Sequence, residues 1–196
     1  MSWTAQLLEG DHVVLTPLTE QHLRPLWAIA QHESVWRYMP FAVRTFDEFE
    51  HGYFAHLRRE QAQGSSMPFV TQLRTTGELV GSTSYLAVEP QHKRLEIGAT
   101  WINPAHQRSA VNTEAKLLQL TDAFERLDCN RVELKTDSLN EKSQRAIARI
   151  GGVLEGTFRN HMVLPDGRIR HTVWFSLTRE EWPQAKQRLL DMLHVQ

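Results

Sequence analysis

The sequence predicts an α+β fold built on a mixed sheet, and three features carry that prediction. Phe69–Arg74, Leu79–Val88 and Arg94–Ile102 are β-rich runs separated by Thr75-Thr76-Gly77-Glu78 and Glu89-Pro90-Gln91-His92, the pattern of an antiparallel meander. After Ile102, helical periodicity alternates with strands. Val153–Val163 and Ile169–Leu177 flank Pro165-Asp166-Gly167-Arg168, a hairpin turn. A meander followed by alternating helices and strands argues for a mixed sheet and against a doubly wound one.

Each element has a local cause. His12–Leu18 is a short β-rich run. Thr19 opens a helix with Glu20 in its first turn, although Pro25 places the regular start near Leu23. Leu23, Leu26, Trp27 and Ile29 form its apolar face. The aromatic segment Val35–Pro40 ends at a proline, and a second helix after Thr45 turns Phe46, Phe49, Phe54 and Leu57 inward until Gln63-Gly64-Ser65-Ser66 breaks it. The polar loop Asn103–Ala110 leads to a helix capped by Asn112 or Thr113, whose face is Leu117, Leu120, Phe124 and Leu127. Arg131–Thr136 is a strand. Asn140 caps a further helix carrying Ala146, Ile147 and Ile150 and closed by Gly151-Gly152. The segment Thr178–His194 is predicted helical, with Pro183 in its first turn.

The bulk properties bound the function. At 196 residues, 41% hydrophobic and 23% charged, the chain suits one folded domain with a sizeable core. Lys plus Arg is 22 and Asp plus Glu is 23, for a net charge of -1, which argues against a general grip on nucleic acid. Cys129 is the one cysteine, so no intrachain disulfide can form, and it reads as a small buried hydrophobe. The first residues show no basic segment followed by an apolar run, and no apolar stretch is long enough for a bilayer. The expected setting is a reducing cytoplasm, with no membrane partner. None of the ten histidines forms an i, i+4 pair with a following acidic ligand, so no metal is expected. There is no nucleophile elbow and no P-loop.

Three places can carry chemistry. The loop and helix start Gln107–Thr113 offer unpaired backbone N–H groups at a positive helix end, beside Arg108. Glu96 lies on a strand whose alternation puts Leu95, Ile97, Ala99 and Trp101 on one face and Glu96, Gly98, Thr100 and Ile102 on the other. A carboxylate there suits deprotonation of an amine. Asn140 with Ser143 has N-cap and N3 spacing. On spacing alone, a capped helix, a solvent-facing glutamate and a simple cap explain all three. Trp36 and Tyr38, ahead of Pro40, are candidates to line a substrate cleft.

Beyond spacing, the chain resembles a known family. LEIGATWINP, NTEAKLLQLTDAFERL, NRVELKTDSLNEKSQRAIARIGGVLEGTFRNH and DGRIRHTVWFSLTREEWP together resemble the GNAT acetyltransferases, on the RimJ/RimL-type branch that acetylates ribosomal-protein N-termini or other small amines. The resemblance runs from about His12 to Pro183. Its most specific elements are Asn140-x-x-Ser143, Gly151-Gly152, Glu155-Gly156, Arg159 and the later Trp-Phe-Ser…Glu-Trp-Pro, in that order.

The resemblance implies a mixed, mostly antiparallel, splayed sheet flanked by helices on both faces, with acetyl-CoA in a V-shaped gap between Arg94–Ile102 and Arg131–Thr136. It implies that Gln107, Arg108, Ser109, Ala110, Val111, Asn112 and Thr113 hold the diphosphate. Asn140 would bond the pantetheine arm, Ser143 would protonate the leaving thiolate, and Glu96 would act as base for the amine. Backbone N–H groups near Trp101 and Ile102 would hold the thioester oxygen. The implied reaction is direct attack of a primary amine in a ternary complex, without metal; a homodimer is compatible. One departure stands out: Ala110 and Asn112 occupy positions where the family loop usually carries glycine, which permits close approach and positive φ. A second reading is therefore a non-catalytic acyl-CoA-binding module.

Overall fold

A computed structural model describes residues 3–194. Its strands are β1 (Leu8–Glu9), β2 (Val13–Pro17), β3 (Met67–Leu73), β4 (Leu79–Glu89), β5 (Arg94–Ile102), β6 (Arg131–Asp137), β7 (Val153–Val163) and β8 (Ile169–Thr178). They form one sheet in the order β1-β2-β3-β4-β5-β6-β8-β7, and among the described residues β5 with β6 is its only parallel pair. The mixed, mostly antiparallel sheet is the predicted one. The two-residue β1 carries too little pattern to be seen in the sequence.

Helices cover both faces. On one side α1 (Leu23–Ala30), the short α2 (Glu33–Trp36) and α3 (Ala55–Ala62), the last entered through a π-wound segment at Glu48–Phe54, bury Leu26, Trp36, Phe49 and Tyr53 against Val70 and Trp101. On the other, α4 (Ala110–Thr121), α5 (Glu141–Arg149) and α6 (Trp182–His194) bury Leu120, Ile147 and Leu189 against Leu95, Ile97, Val132 and Phe175. A helix near Leu23 and a helix over Trp182–His194 with Pro183 in its first turn match the sequence expectations.

Two local features differ from the sequence reading. First, α4 starts earlier: Ser109 is its N-cap, accepting from Val111 N at 3.4 Å, so neither Asn112 nor Thr113 caps it. Second, the alternation of β5 breaks. Ser82 pairs with Trp101 but Ser84 pairs with Gly98, leaving Ala99 and Thr100 opposite the single Thr83. Ala99 takes a φ of 47°, the left-handed geometry of a β-bulge. Beyond it the faces exchange. Ala99 and Trp101 lie with the α1–α3 core, whereas Thr100 turns toward α4 and Leu95 and Ile97 stay on that side.

Glu114 fastens α4 in place. Its buried carboxylate accepts from the N–H groups of Asp11 (2.9 Å), His12 (2.7 Å) and Val13 (2.6 Å). Gly10 is required beside it, because a Cβ there would lie 2.4 Å from the Glu114 carboxyl carbon. The start of α4 is thus tied to the far edge of the sheet by charge-assisted bonds.

Candidate active site

The parallel register of β5 and β6 runs only from Arg94↔Arg131 to Glu96↔Glu133. Past that point the strands part, and a cavity of ≈ 760 Å³ opens between residues 97–102 and 134–136. Backbone groups that a neighbouring strand would have satisfied face this gap, and buried backbone groups need partners. A volume of this size suits a small-molecule site.

At one end stand the loop before α4 and the start of α5. Gln107, Arg108, Ser109 and Asn112 line this end, together with Asn140, Lys142, Ser143 and Arg149. Gln107 Nε2 donates to the Ile102 carbonyl at 2.9 Å, and Lys142 Nζ donates to Gln107 Oε1. Arg149 Nη2 donates to Thr113 Oγ1 at 3.1 Å. Three cations thus surround a helix N-terminus, a donor set that fits a diphosphate.

The missing glycines are accounted for here. Ala110, Val111 and Asn112 are helical and have no positive φ; the strained residue is Arg108, at 64°. Ala110, Val111 and Thr113 are not on the cavity wall, and Val111 and Thr113 point into the core. None of these three presents a side chain to the cavity.

Asn140 caps α5 as its spacing predicted, accepting from Ser143 N at 3.1 Å. Ser143 Oγ has no hydrogen-bond partner among the described residues, and the residue lines the cavity. Trp101 and Ile102 also line it, and Trp101 Nε1 donates to Tyr53 Oη at 2.9 Å. Of the two aromatic candidates ahead of Pro40, Tyr38 lines the cavity, whereas Trp36 is a core residue whose Nε1 donates to the Ala30 carbonyl at 2.7 Å.

Glu96 is not solvent-facing. It is 3% exposed, just behind the wall, and its Oε2 lies 2.6 Å from Lys135 Nζ. Burial raises its pKa; Lys135 opposes that shift. The carboxylate rests over Gly98, where a Cβ would come within 2.6 Å of Oε1. Lys135 in turn lies 4.7 Å from the Trp174 ring centre.

Three wall residues escaped the sequence reading. Lys135 lies two residues beyond the end of the β5–β6 pairing, which no local pattern marks. Lys116 is buried, its Nζ within reach of Thr100 Oγ1 (2.9 Å), Gln119 Oε1 (3.0 Å) and Thr83 Oγ1 (3.1 Å), and desolvation pushes its pKa down to about 7. Its signal was present: it stands four residues before Leu120 and eight before Phe124, on the apolar stripe. Arg170 is buried on β8, placed by the hairpin.

Among the described residues there is no group of three or more potential His, Cys, Asp or Glu metal ligands, and no helix is long and apolar enough to cross a membrane.

Comparison with known proteins agrees with this geometry. The acetyltransferase (GNAT) domain family matches residues 12–153. The ribosomal-protein-serine acetyltransferase of Escherichia coli (strain K12) is 22% identical over 169 residues, covering 83% of this chain and 91% of that protein. A GCN5-related N-acetyltransferase from Brucella melitensis superposes with a TM-score of 0.86 at 30% identity, over 96% of this chain and 85% of that one. Mycobacterium smegmatis RimJ, solved in complex with CoA-disulfide, has the same fold, with a TM-score of 0.80 at 22% identity over 97% and 95% of the two chains. With its splayed sheet and the family match over most of its length, the chain belongs to the GNAT acetyltransferases and is an N-acetyltransferase.

Proposed function

We propose that the chain transfers the acetyl group of acetyl-CoA to a primary amine, a protein N-terminus or a small amine, by direct attack in a ternary complex. The observation that carries this reading is the gap between β5 and β6, which joins a cation-lined helix N-terminus to the free hydroxyl of Ser143 in one cavity. Acetyl-CoA supplies an activated acyl group with a thiolate leaving group.

The residues then divide the work. Arg108, Lys142, Arg149 and the first N–H groups of α4 take the phosphates. Gln107, Ser109 and Asn112 shape that end, and backbone at Ala110, Val111 and Thr113 completes it. The unpaired edges of β5 and β6 accept an amide-bearing arm as a sheet accepts a strand. The Asn140 side chain orients the start of α5, which sets Ser143 where it can give a proton to the departing sulfur. Backbone near Trp101 and Ile102 stabilises the carbonyl oxygen. Glu96, behind Gly98, takes the amine proton through one water, its affinity for protons raised by burial.

The test is a thermal-shift titration with acetyl-CoA followed by thiol release over a panel of amines. A rise in melting temperature together with amine-dependent thiol release supports the reading. Absence of both overturns it.

A further inference from the structure

The acceptor end of the cavity holds one buried charge with no ion-pair partner among the described residues. Arg170 is 6% exposed and lines the wall with Tyr38. Its Nε donates to Thr172 Oγ1 at 3.1 Å, and its Nη1 donates to the Tyr38 carbonyl at a long 3.3 Å. Among the described residues Nη2 donates to nothing, and the guanidinium forms no ion pair.

The nearby carboxylates are engaged elsewhere. Glu96 is held by Lys135 at 2.6 Å, and Asp137 by Arg168 Nη2 at 2.6 Å. Glu96 cancels Lys135 and Asp137 cancels Arg168, so this end of the cavity keeps the single positive charge of Arg170. A buried cation bonded only to a hydroxyl and a carbonyl is costly, and burial depresses its pKa despite the through-space pull of Asp137 and Glu96. Tying the hairpin to the segment after α2 does not require a charge. A planar fork with open N–H groups facing a cavity matches a carboxylate.

We propose that Arg170 is the specificity residue of the acceptor site and that the acceptor is a small amine carrying a carboxylate, such as an amino acid, in preference to a polyamine. This rests on the acetyl-transfer reading above. The acceptor's carboxylate would bond the guanidinium while its amine lies toward Gly98 and the thioester.

The experiment compares three acceptors sharing one amine: an amino acid, its amide, and the matching amine without the carboxyl group. The acid is expected to exceed both others in kcat/KM by about a hundredfold, mostly through KM. In Arg170→Met the acid should lose that advantage, with the amide little changed. Arg170→Lys should retain part of it, and melting temperatures will show whether either variant is folded. Equal use of acid and amide by the wild type, or preference for the carboxyl-free amine, overturns the carboxylate assignment and leaves acetyl transfer standing. A uniform loss across all three acceptors in a folded Arg170→Met also overturns it. No thiol release with any amine, despite an acetyl-CoA thermal shift, removes the transfer reading and this inference together.

Discussion

Lys135 Nζ meets Glu96 Oε2 at 2.6 Å, just beyond the last paired residues of the parallel pair β5–β6. The ion pair sits at the root of the gap. Glu96→Gln should lower acetyl transfer by about a hundredfold and leave acetyl-CoA affinity nearly unchanged. Lys135→Met should raise the Glu96 pKa further, because the main opposition to burial is then gone and only the more distant Arg170 remains. If the carboxylate is the active form, the acidic limb of the pH–rate profile moves to higher pH in that variant. An unmoved limb would remove Glu96 from the mechanism.

Lys116 makes the folded protein's stability depend on pH. Its pKa falls from an ordinary 10.5 to about 7 on folding. Between those values the unfolded chain binds a proton that the folded chain does not, so this residue's contribution to stability rises with pH across the window. The cost is complete below about pH 7, on the order of 5 kcal/mol. Lys116→Met should therefore be more stable than wild type, with a gap that widens as pH falls from about 10 to 7 and is level below that. Thr83, Thr100 and Gln119 keep bonds to one another, so the variant strands none of their hydroxyls. Chemical denaturation at several pH values measures the gap.

Asn140 carries two separable burdens. Asn140→Ala loses the bond to Ser143 N and about 1 kcal/mol of stability. It should also weaken acetyl-CoA binding. Asn140→Asp restores the cap but not the amide, so it should recover the melting temperature without recovering affinity. Calorimetric titration beside thermal melting separates the two.

Gly98→Ala tests the space beneath the ion pair. The added Cβ would lie 2.6 Å from Glu96 Oε1 and 2.8 Å from Leu86 Cδ1. The carboxylate must swing from Lys135 to make room. Transfer should fall much as in Glu96→Gln, with destabilisation of about 1–3 kcal/mol from overpacking. Wild-type kinetics in this variant would show that the carboxylate's position is immaterial.

The fold was legible because its cues are local and agree. The meander turns, the Pro165–Arg168 hairpin and the Asn140 cap each fix their element within a few residues. The site was legible only in part. Asn140 and Ser143 are set by a helix start, so spacing finds them. Glu96 was assigned to an open sheet face because alternation shows the face but not what covers it; Lys135, from another strand, does. The Asn112 or Thr113 cap failed because Ser109, three residues earlier, offers an equally good oxygen. The role of Arg170 depends on which carboxylates are already bonded, a property of the assembled cavity that no sequence window contains.

The surplus residue at Ala99 has a consequence for substitution. By simple counting Glu96 and Trp101 would fall on opposite faces of the strand; with the bulge Trp101 joins the α1–α3 core, and Thr100 reaches Lys116 instead. Straightening the strand with Ala99 retained would restore strict counting, driving an indole into the space of a hydroxyl and a hydroxyl into the space of an indole. The bulge therefore averts a double exchange of incompatible side chains, and deleting Ala99 alone would leave Trp101 and Thr100 on the faces they already occupy.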